Sequence, residues 1–406
     1  MLPFDDALKL AVSHGVLTGS EPVALLEANG RVLAAPVTAR TDQPPFDASA
    51  MDGYGVRARD VHAGATLKLV GTSQAGAGYD GTLAPGECIR ILTGAPTPAG
   101  VDAVVMQEKV TVDGPNATFQ DSVNPGSCIR KTGNDFKMGD VLVAAGKRLN
   151  PASLALIAAG NVPQIEVRQR PHIDLLATGD ELATPGDTLA PGQIVGSNRF
   201  GLAPLLTPLA AAVHDLGSAH DEEQPLRAAL EAALSGPSDV LITTGGVSVG
   251  DRDLVVPVLK SLGAKIMFWK VAIRPGKPVV FARLGDKLIF GLPGNPVSAF
   301  VSAITLVLPA LKALNGIADP LPRTLHLPLA SPLPANGPRR HFMRGRLTSR
   351  NGATAIEPIV QMDSAHLSSF SEADGLVVIE ENRAPADADS LIPFISFAHE
   401  GIPASG

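Results

Sequence analysis

The sequence predicts a multidomain α/β protein: a three-layer α/β domain, two small β domains, and an elongated α+β domain that is split in sequence. From about residue 171 to 319, apolar strand patterns alternate with helical patterns, which is typical of a parallel sheet covered by helices on both faces. From residue 46 to 140, and again from 320 to 406, short β-rich runs alternate with Gly, Pro, Asp and Asn turns. The length of 406 residues also favours several domains over one.

The predicted domain boundaries follow these changes of pattern. The elongated α+β domain takes residues 1–45 and 141–170, although its N-terminal helix has the alternative of packing on the α/β domain. A small β domain takes residues 46–140, the α/β domain 171–319, and the C-terminal β domain 320–406.

The first predicted element is a helix, because Leu8, Val12 and Val16 recur with helical spacing. The same segment lacks a basic start followed by an apolar core, so we expect no signal peptide. A second helix is predicted over Leu149–Ala159, with Pro151 near its start. Between the two helices lie a strand in EANGRVLAAPVTAR and five β-rich runs, GVRARD, LKLVG, CIRILTG, AVVMQEKVTV and ATFQDSV.

Strands and helices alternate in the predicted α/β domain. Ser197 or Asn198 is suited to cap its first helix, and Gly236 stops its second. The apolar run Ala299–Leu311 is shorter than a membrane span and contains Pro309, which favours a buried helix. The predicted strands are His172–Thr178, Asp239–Thr244, Val279–Leu284 and Lys287–Phe290. The predicted helices are Asn198–Val213, Pro225–Leu234, Leu254–Leu262 and Val297–Leu314.

The composition is that of a compact protein without a general affinity for polyanions. Hydrophobic residues make up 45% of the chain and charged residues 18%, and the net charge is −7, so we expect no nucleic-acid and no membrane partner. Cys88 and Cys128 lie in no metal-type spacing and favour a reduced, cytoplasmic compartment. The histidines do not cluster in sequence, and no GxSxG, Walker A or GxGxxG motif is present.

Three loops of the predicted α/β domain favour a bound anion: TTGGVSVGDRD, WKVAIRPGKP and FGLPGNPVSAF. Gly245 and Gly246 follow a buried strand and can present bare backbone N–H groups, as phosphate-binding loops do. Loops that follow successive parallel strands meet at one edge of the sheet, where ligands of open α/β sheets bind. The other two loops add fixed positive charge and stiff backbone at that edge, through Lys270, Arg274, Lys277, Pro293 and Pro296.

Carboxylates at the same edge could hold a hard cation. Asp251 and Asp253 lie just beyond the glycines, at a spacing suited to a divalent metal. A fourth strand-to-loop junction, in HIDLLATGDEL, ends in Gly179, Asp180 and Glu181. Any one of these loops alone would more often be a plain connecting turn, but four loops of one chemical character favour a site for a phosphate-bearing or oxyanionic ligand with a metal ion.

A second group of polar loops lies upstream, in PPFDASAMDGYGVRARD, LTGAPTPAG and RKTGNDFKMGD. Asp47 and Asp52 bracket a run of small residues, and the other two segments contribute Thr93, Lys131 and Asp135. The alternative interpretation is a set of structural turns in which the aspartates cap local amides.

Together these motifs resemble those of the molybdopterin molybdenumtransferase (MoeA) family, and they are similar also to the E domain of gephyrin. The resemblance rests on PPFDASAMDGYGV, LTGAPTPAGVDAVVMQE, TGDEL, TTGGVSVGDRD, RPGKP, GLPGNPVS and SEADGLVVI, which follow in the same order over nearly the whole chain. It implies four domains, a homodimer, and insertion of molybdate into adenylylated molybdopterin. A divalent cation such as Mg²⁺ would assist the release of AMP.

The resemblance also assigns roles to particular residues. Arg339 or Arg340 would reach the molybdate from the last domain, while Ala48 and Gly196 depart from the family pattern. The matched catalytic positions are Asp47, Thr93, Asp135, Glu181, Asp221 and Asp253. The matched substrate-binding positions are Lys270, Arg274, Lys277, Pro293 and Pro296, and the chemistry of the residues adds Asp52, Gly245, Gly246, Ser248 and Ser298 as candidates. The implied metal ligands are Glu181, Asp251 and Asp253.

Three other functions compete with this interpretation, the weakest of which is a nucleotide-binding regulator. The preceding enzyme, which adenylylates molybdopterin, resembles only the α/β domain, so the segments upstream and downstream of that domain argue against it. A pterin- or partner-binding scaffold without turnover would not need the acidic set. The partners implied by the resemblance are the molybdopterin adenylyltransferase and the molybdoenzymes that receive the cofactor.

Overall fold

The computed structural model describes residues 1–247, 253–350, 352–361 and 363–402. The chain forms two compact units, one made of Met1–Glu21 with Val167–Gly406 and the other of Pro22–Glu166. The N-terminal helix therefore belongs to the unit that contains the α/β domain. The four domain boundaries within these units stay predictions.

Helix α1 spans Phe4–Ser13, as its apolar spacing predicts. The expectation that Val16 extends the helical face is wrong, since this residue lies beyond the helix and is 51% exposed. The ring nitrogen Nδ1 of His14 lies 2.9 Å from the carbonyl oxygen of Leu10, so a side chain takes the place of the next backbone hydrogen bond. The buried face, which packs on the later helix Leu308–Leu314, consists of Phe4, Ala7 and Ala11.

Residues 22–166 form mainly short strands, as the β-rich runs predict. The run AVVMQEKVTV is two strands rather than one, because a 3₁₀ turn at Gln107–Lys109 interrupts it. The first twelve strands of the chain are β1 Ser20–Ala24, β2 Val37–Thr38, β3 Ala48–Ser49, β4 Gly53–Val56, β5 Thr66–Ser73, β6 Glu87–Ile91, β7 Ala103–Met106, β8 Val110–Asp113, β9 Asn116–Phe119, β10 Ile129–Arg130, β11 Val141–Val143 and β12 Gln164–Arg168.

One six-stranded sheet dominates this unit, with the order β7-β4-β6-β5-β9-β8. Its core is built from alternate residues such as Tyr54, Val56 and Phe119, which are at most 8% exposed. The predicted second helix is α2, Pro151–Ala159. Its first residue is a proline, and the side chain of Asn150 accepts a 2.8 Å hydrogen bond from the backbone N–H of Ser153.

The α/β domain contains a six-stranded sheet of order β16-β13-β17-β21-β20-β18. The first four strands of this order are parallel, and the last two continue it in antiparallel fashion. The strands of this region are β13 His172–Thr178, β14 Leu182–Ala183, β15 Ile194–Val195, β16 Ala212–Ala219, β17 Val240–Thr244, β18 Lys265–Trp269, β19 Ile273–Arg274, β20 Val280–Leu284 and β21 Lys287–Leu292. Its helices are α3 Asn198–Leu206, α4 Glu223–Ser235, α5 Val255–Ser261, α6 Pro296–Ser302 and α7 Leu308–Leu314.

Helices cover both faces of this sheet, which confirms the predicted three-layer architecture. Successive residues of β17 point to opposite faces: Ile242 packs with α1, α3 and the helices after β21, whereas Leu241 packs with α4 and α5. All five residues of β17 are buried, because a strand covered on both faces has no solvent side. This explains why the strand reads as a continuous apolar run.

Two edge strands of the sheet were not predicted. The helix expected over Asn198–Val213 ends at Leu206, and Val213 lies in β16 instead. A 3₁₀ turn that contains Pro208 separates the two, since proline cannot donate a helical hydrogen bond. Strand β18 lies at the other edge, and its last residue, Trp269, begins the loop segment WKVAIRPGKP.

The closing helix runs without a break through α6, a π-helical turn at Ala303–Val307, and α7. The whole segment Pro296–Leu314 has 19 residues and is apolar enough to span a membrane by length and composition. The apolar stretch is therefore longer than the sequence interpretation assumed. However, 83% of the segment's apolar window is buried inside the protein, as expected for the core helix that the sequence predicts.

The C-terminal β domain forms a third six-stranded sheet, of order β19-β23-β25-β26-β22, with β24 paired to β23. Strand β19 precedes the β20–β21 hairpin in sequence, but it pairs with β23 of the C-terminal sheet. In this pairing Arg274 lies opposite His341. The RPGKP turn is thereby attached to the C-terminal sheet. The elements are β22 Thr324–Pro328, β23 Arg340–Arg350, β24 Ala353–Pro358, α8 Leu367–Ser371, β25 Gly375–Ile379 and β26 Leu391–Ser396.

Candidate functional site

A cleft of about 520 Å³ lies at the carboxyl ends of the parallel strands. Residues that follow three neighbouring strands line it: Glu181 after β13, Gly245 and Gly246 after β17, and Pro293 after β21. The loop that contains Asp221, after β16, also contributes. The predicted loops therefore meet at one edge of the sheet, where open α/β folds bind their ligands.

The glycine loop requires its glycines. Gly245 has φ +92°, and a Cβ atom there would lie 2.4 Å from the carbonyl oxygen of Thr178. The N–H of Gly245 donates to Leu292 O at 3.0 Å, so it is not one of the bare donors that the sequence predicts. Within the described ranges, the N–H groups of Gly246 and Val247 donate to no acceptor. These two groups can bind an anion in the cleft.

Three of the predicted carboxylates share the cleft: Glu181, Asp221 and Asp253 all line it. The carboxylate of Asp180 accepts hydrogen bonds from His220 Nδ1 at 3.0 Å and from the backbone N–H of Asp221 at 3.1 Å. This bond pair ties the loop after β13 to the loop after β16, and so fixes the position of Asp221.

The predicted metal ligands are only partly described. Glu181 and Asp253 lie on the cleft, whereas Asp251 falls outside the described residues, as does Ser248 of the substrate-binding set. In residues 1–247, 253–350, 352–361 and 363–402, no group of three or more His, Cys, Asp or Glu side chains could hold a metal ion. The two carboxylates are donors of the kind that hard divalent cations prefer.

The loop after β21, which contains Pro293 and Pro296, forms one wall of the cleft, and Asn198 lines the cleft beside it. The side-chain amide of Asn198 donates a 2.7 Å hydrogen bond to Gly294 O, which joins the start of α3 to the proline loop. Sequence reasoning treated Asn198 only as a possible helix cap. The sign of this role in the sequence is an amide side chain at the start of a helix beside the predicted site. Ser197, the other candidate cap, makes no side-chain cap bond.

The predicted cations do not line the cleft in the part of the chain that the structure describes. Lys270 Nζ lies 4.7 Å from the centre of the Trp269 ring. Arg274 and Lys277 are exposed on one turn. Ser298 is buried in α6, at 4% exposure, beneath that turn.

Of the two arginines that the sequence analysis named as molybdate ligands, Arg340 is already engaged by carboxylates. Its guanidinium forms ion pairs with Asp5 at 3.0 Å and with Glu381 at 2.9 Å. Arg339 lies 3.4 Å from the carbonyl oxygen of Ile273, next to the RPGKP turn. The resemblance therefore fits Arg339 better than Arg340.

A basic cluster surrounds His341 where β23 meets β19. Burial, together with the positive charges of Arg274, Arg339 and Arg344, lowers the pKa of His341 to about 4. Arg344 is buried and donates to the carbonyl groups of Asp363 and His366, which organises the segment before α8. That segment also bonds the start of α6, through Asn295 Nδ2 to Ser364 Oγ at 2.9 Å. The sequence did not predict a role for Arg344 or Ser364, because nothing in the segments HFMRGRL and QMDSAH marks these residues as functional.

In the unit formed by residues 22–166, Asp47 is bound by neighbouring side chains. Its Oδ2 accepts from Lys131 Nζ at 2.7 Å, and its Oδ1 accepts from the backbone N–H and Oγ1 of Thr132 at 2.9 and 3.2 Å. The Lys131 ammonium and the Thr132 amide hold the pKa of Asp47 below its usual value. The sequence did not predict this pairing, although it marked both partners' loops.

A matching contact holds Asp52. Its Oδ1 accepts from the hydroxyl and the backbone N–H of Thr93, both at 2.7 Å, and these bonds lower the pKa of Asp52. Backbone hydrogen bonds from Thr97 to Asp47 and from Gly94 to Ser49 fasten the two loops together. The structure thus brings Asp47, Asp52 and Thr93 onto adjacent loops.

Asp135 has a different setting. It is exposed, and its backbone N–H bonds Gln43 O at 2.9 Å.

Three family models match the chain and together cover most of it. Residues 2–160 match the MoeA N-terminal region, domains I and II. Residues 174–313 match a probable molybdopterin binding domain, and residues 326–397 match the MoeA C-terminal region, domain IV.

Curated relatives agree with these matches. The chain is 37% identical to the molybdopterin molybdenumtransferase of Haemophilus influenzae, over 94% of this chain and 95% of the relative. It is 40% identical to that of a Nostoc species, over 74% and 70%. It is 32% identical to that of Bacillus subtilis, over 93% and 90%.

A solved structure of a molybdopterin biosynthesis MoeA protein from Pyrococcus horikoshii is similar over 98% of this chain and 99% of its own. Its TM-score is 0.81 at 30% sequence identity. This similarity confirms the multidomain α/β fold.

Proposed function

The chain belongs to the molybdopterin molybdenumtransferase family, and from this premise we propose that it carries out the final step of molybdenum cofactor synthesis. It is an enzyme of molybdenum cofactor biosynthesis, as its relatives are. The substrates in our proposal are molybdate and adenylylated molybdopterin. The products are the molybdenum cofactor and AMP.

The observation that carries this proposal is the cleft at the carboxyl edge of the sheet. Its volume of about 520 Å³ lies within the usual range for a small-molecule site. It combines the N–H groups of Gly246 and Val247 with the carboxylates of Glu181, Asp221 and Asp253. Such a lining suits an anionic phosphate ester that is cleaved, because donors bind the phosphates while carboxylates serve proton transfer or a cation.

The residues present fit a divalent cation such as Mg²⁺, because two carboxylates face the same cleft. Glu181 and Asp253 would hold it. A bound cation there would neutralise charge on the adenylyl phosphate. In the cleavage, water attacks the adenylyl phosphorus, the bond to the pterin-side phosphate oxygen breaks, and AMP leaves. Glu181 is the carboxylate that we propose to accept the proton of the attacking water.

For molybdate we propose the surface around the RPGKP turn. Arg274 and Lys277 are exposed there, and Arg339 lies beside them. A dianion prefers guanidinium, ammonium and hydroxyl donors, so Ser298 beneath the turn completes the proposed set. In the upstream loops, Asp47, Asp52, Thr93 and Asp135 are proposed to act on the same reaction.

The remaining expectations are part of the same proposal. We propose a cytoplasmic homodimer whose sites contain loops from both subunits. The molybdopterin adenylyltransferase would deliver the substrate, and molybdoenzymes would accept the product.

The decisive experiment is to add sodium molybdate to the purified protein loaded with adenylylated molybdopterin and Mg²⁺. We expect AMP to appear in step with the loss of adenylylated pterin, measured by liquid chromatography. Binding of the pterin without AMP release would indicate a scaffold instead. Formation of adenylylated pterin from ATP and molybdopterin would indicate the preceding step.

A further inference from the structure

Trp269 contacts both the glycine loop of the cleft and Lys270, a predicted substrate-binding residue that does not itself line the cleft. It is the only tryptophan in the chain and the last residue of the edge strand β18. Its indole Nε1 donates a 2.9 Å hydrogen bond to the carbonyl oxygen of Val247, the residue that follows the two glycines. The same ring lies under Lys270, whose Nζ is 4.7 Å from the ring centre.

The loop end of this contact is tightly placed. Val247 lines the cleft and is only 2% exposed. Its side chain packs against β21 so closely that a Cβ atom on Gly291 would lie 2.7 Å from Val247 Cγ1. The buried side chain and the carbonyl oxygen bound by the indole therefore hold Val247 at two points. A residue held at its side chain and its carbonyl oxygen has little freedom to rotate, so these contacts restrict the direction in which its N–H points.

The lysine end is also fixed. Lys270 has φ +76°, an uncommon value for a residue with a side chain. Its backbone N–H donates to Val279 O at 3.1 Å, and its carbonyl oxygen accepts from Leu2 N at 3.0 Å. The electron-rich face of the indole attracts the ammonium group and limits the directions that the side chain takes.

We propose that Trp269 is a positioning residue, which holds both Val247, whose N–H is available to an anion, and the ammonium group of Lys270. The inference rests on the proposed function for its substrate, adenylylated molybdopterin. It predicts that the indole N–H contributes to substrate binding without touching the reacting atoms. If Trp269 only filled the core beside β18, its N–H would affect stability alone.

The test uses the full-length protein with Trp269→Phe, which keeps an aromatic face for Lys270 but removes the N–H donor. We expect the KM for adenylylated molybdopterin to rise roughly fivefold, as for one lost hydrogen bond, with little change in kcat. Phe268→Leu is the matched control, because it loosens the same strand on its buried side. The control should lower the Tm and leave the KM unchanged. An unchanged KM in Trp269→Phe would overturn the proposal.

A second measurement needs no variant of the tryptophan and no turnover. Because Trp269 is the sole indole, its fluorescence reports directly on the loop and on Lys270. We expect AMP to shift or quench the emission of the wild-type protein, and Lys270→Met to change the emission of the free protein. Emission that stays the same on addition of AMP and in Lys270→Met would contradict the proposal. If the wild-type protein binds AMP with this signal but molybdate releases no AMP, the proposed function fails while the inference about Trp269 stands.

Discussion

His341 lies buried among three arginines, so its imidazole is neutral at ordinary pH. We expect this residue to make stability depend on pH. Its pKa in the folded protein is about 4, against an ordinary value of 6.5, chiefly because burial disfavours the charged ring. Between pH 6.5 and about pH 4, the unfolded chain therefore binds a proton at His341 that the folded chain does not. The contribution of the neutral His341 to the free energy of unfolding is complete above pH 6.5 and is lost as the pH falls towards 4.

The size of the effect can be measured with His341→Gln, which cannot titrate. Between about pH 7.5 and pH 5, the wild-type protein should lose about 2 kcal/mol more unfolding free energy than the variant. Denaturant titrations at the two pH values give this difference. Equal losses in the two proteins would show that His341 has an ordinary pKa.

Glu181 is the second residue for which we make a prediction. Its carboxylate lies on the cleft and is exposed, so Glu181→Gln should keep the fold. The amide cannot accept a proton and holds a cation poorly, so molybdate-dependent AMP release should fall by about 100-fold. Glu231→Gln, on the exposed side of α4, is the matched control. Near-normal turnover with a normal Tm would end the catalytic role of Glu181.

At the scale of elements, the glycine loop after β17 depends on a close approach to β13. Gly245→Ala should destabilise the protein in two ways: it places Cβ at positive φ, and it forces that Cβ against Thr178 O. Gly285→Ala is the control, because Gly285 also has positive φ but has open space around it. The control should cost about 1–2 kcal/mol, and Gly245→Ala distinctly more. Equal costs from denaturant titration would mean that the loop moves freely to accept the methyl group.

Strands and helices were predictable where their burial leaves only one interpretation of the sequence pattern. Strand β17 is covered on both faces, so DVLITT predicts it almost to the residue. Strand β16 is paired on one side only, and four of its eight residues are exposed, so AVHDLGSA carries no apolar signal. The alanine-rich TPLAAAV before it favours a helix by propensity, and tertiary pairing overrides that preference.

The site was predictable as a set of loops but not as a set of contacts. Strand-to-loop junctions mark the carboxyl edge of a sheet, which is why Glu181, Gly245 and Pro293 were found together. Which arginine is available depends on partners distant in sequence: Asp5 engages Arg340, and no local pattern in either segment shows it. The bond from Trp269 to Val247 is equally non-local.

At the scale of the whole molecule, the proposed homodimer makes a prediction about subunit mixing. Asp47 belongs to the unit Pro22–Glu166 and Asp253 to the other unit. If each site takes these residues from different subunits, inactive Asp47→Ala and Asp253→Ala chains should complement each other. Refolded together in equal amounts, they should regain about a quarter of wild-type activity, since half of the dimers would have one intact site of two.

Each variant refolded alone serves as the control and should stay inactive. Chromatography with light scattering must show dimers in all three samples. Dimers without any recovery of activity would show that both aspartates act within one chain.

The position of helix α1 has a consequence for how the protein is made. Phe4 packs edge-to-face on Phe342, and α1 packs on α7. The first helix to leave the ribosome therefore packs against residues that are synthesised about 300 residues later. The unit Pro22–Glu166 can complete its sheet in the meantime, because all of its strands follow one another closely in sequence. Until synthesis passes α7, the buried face of α1 lacks its helical partner, and Phe4 lacks Phe342 for longer still, so a chaperone could bind this apolar face on the nascent chain.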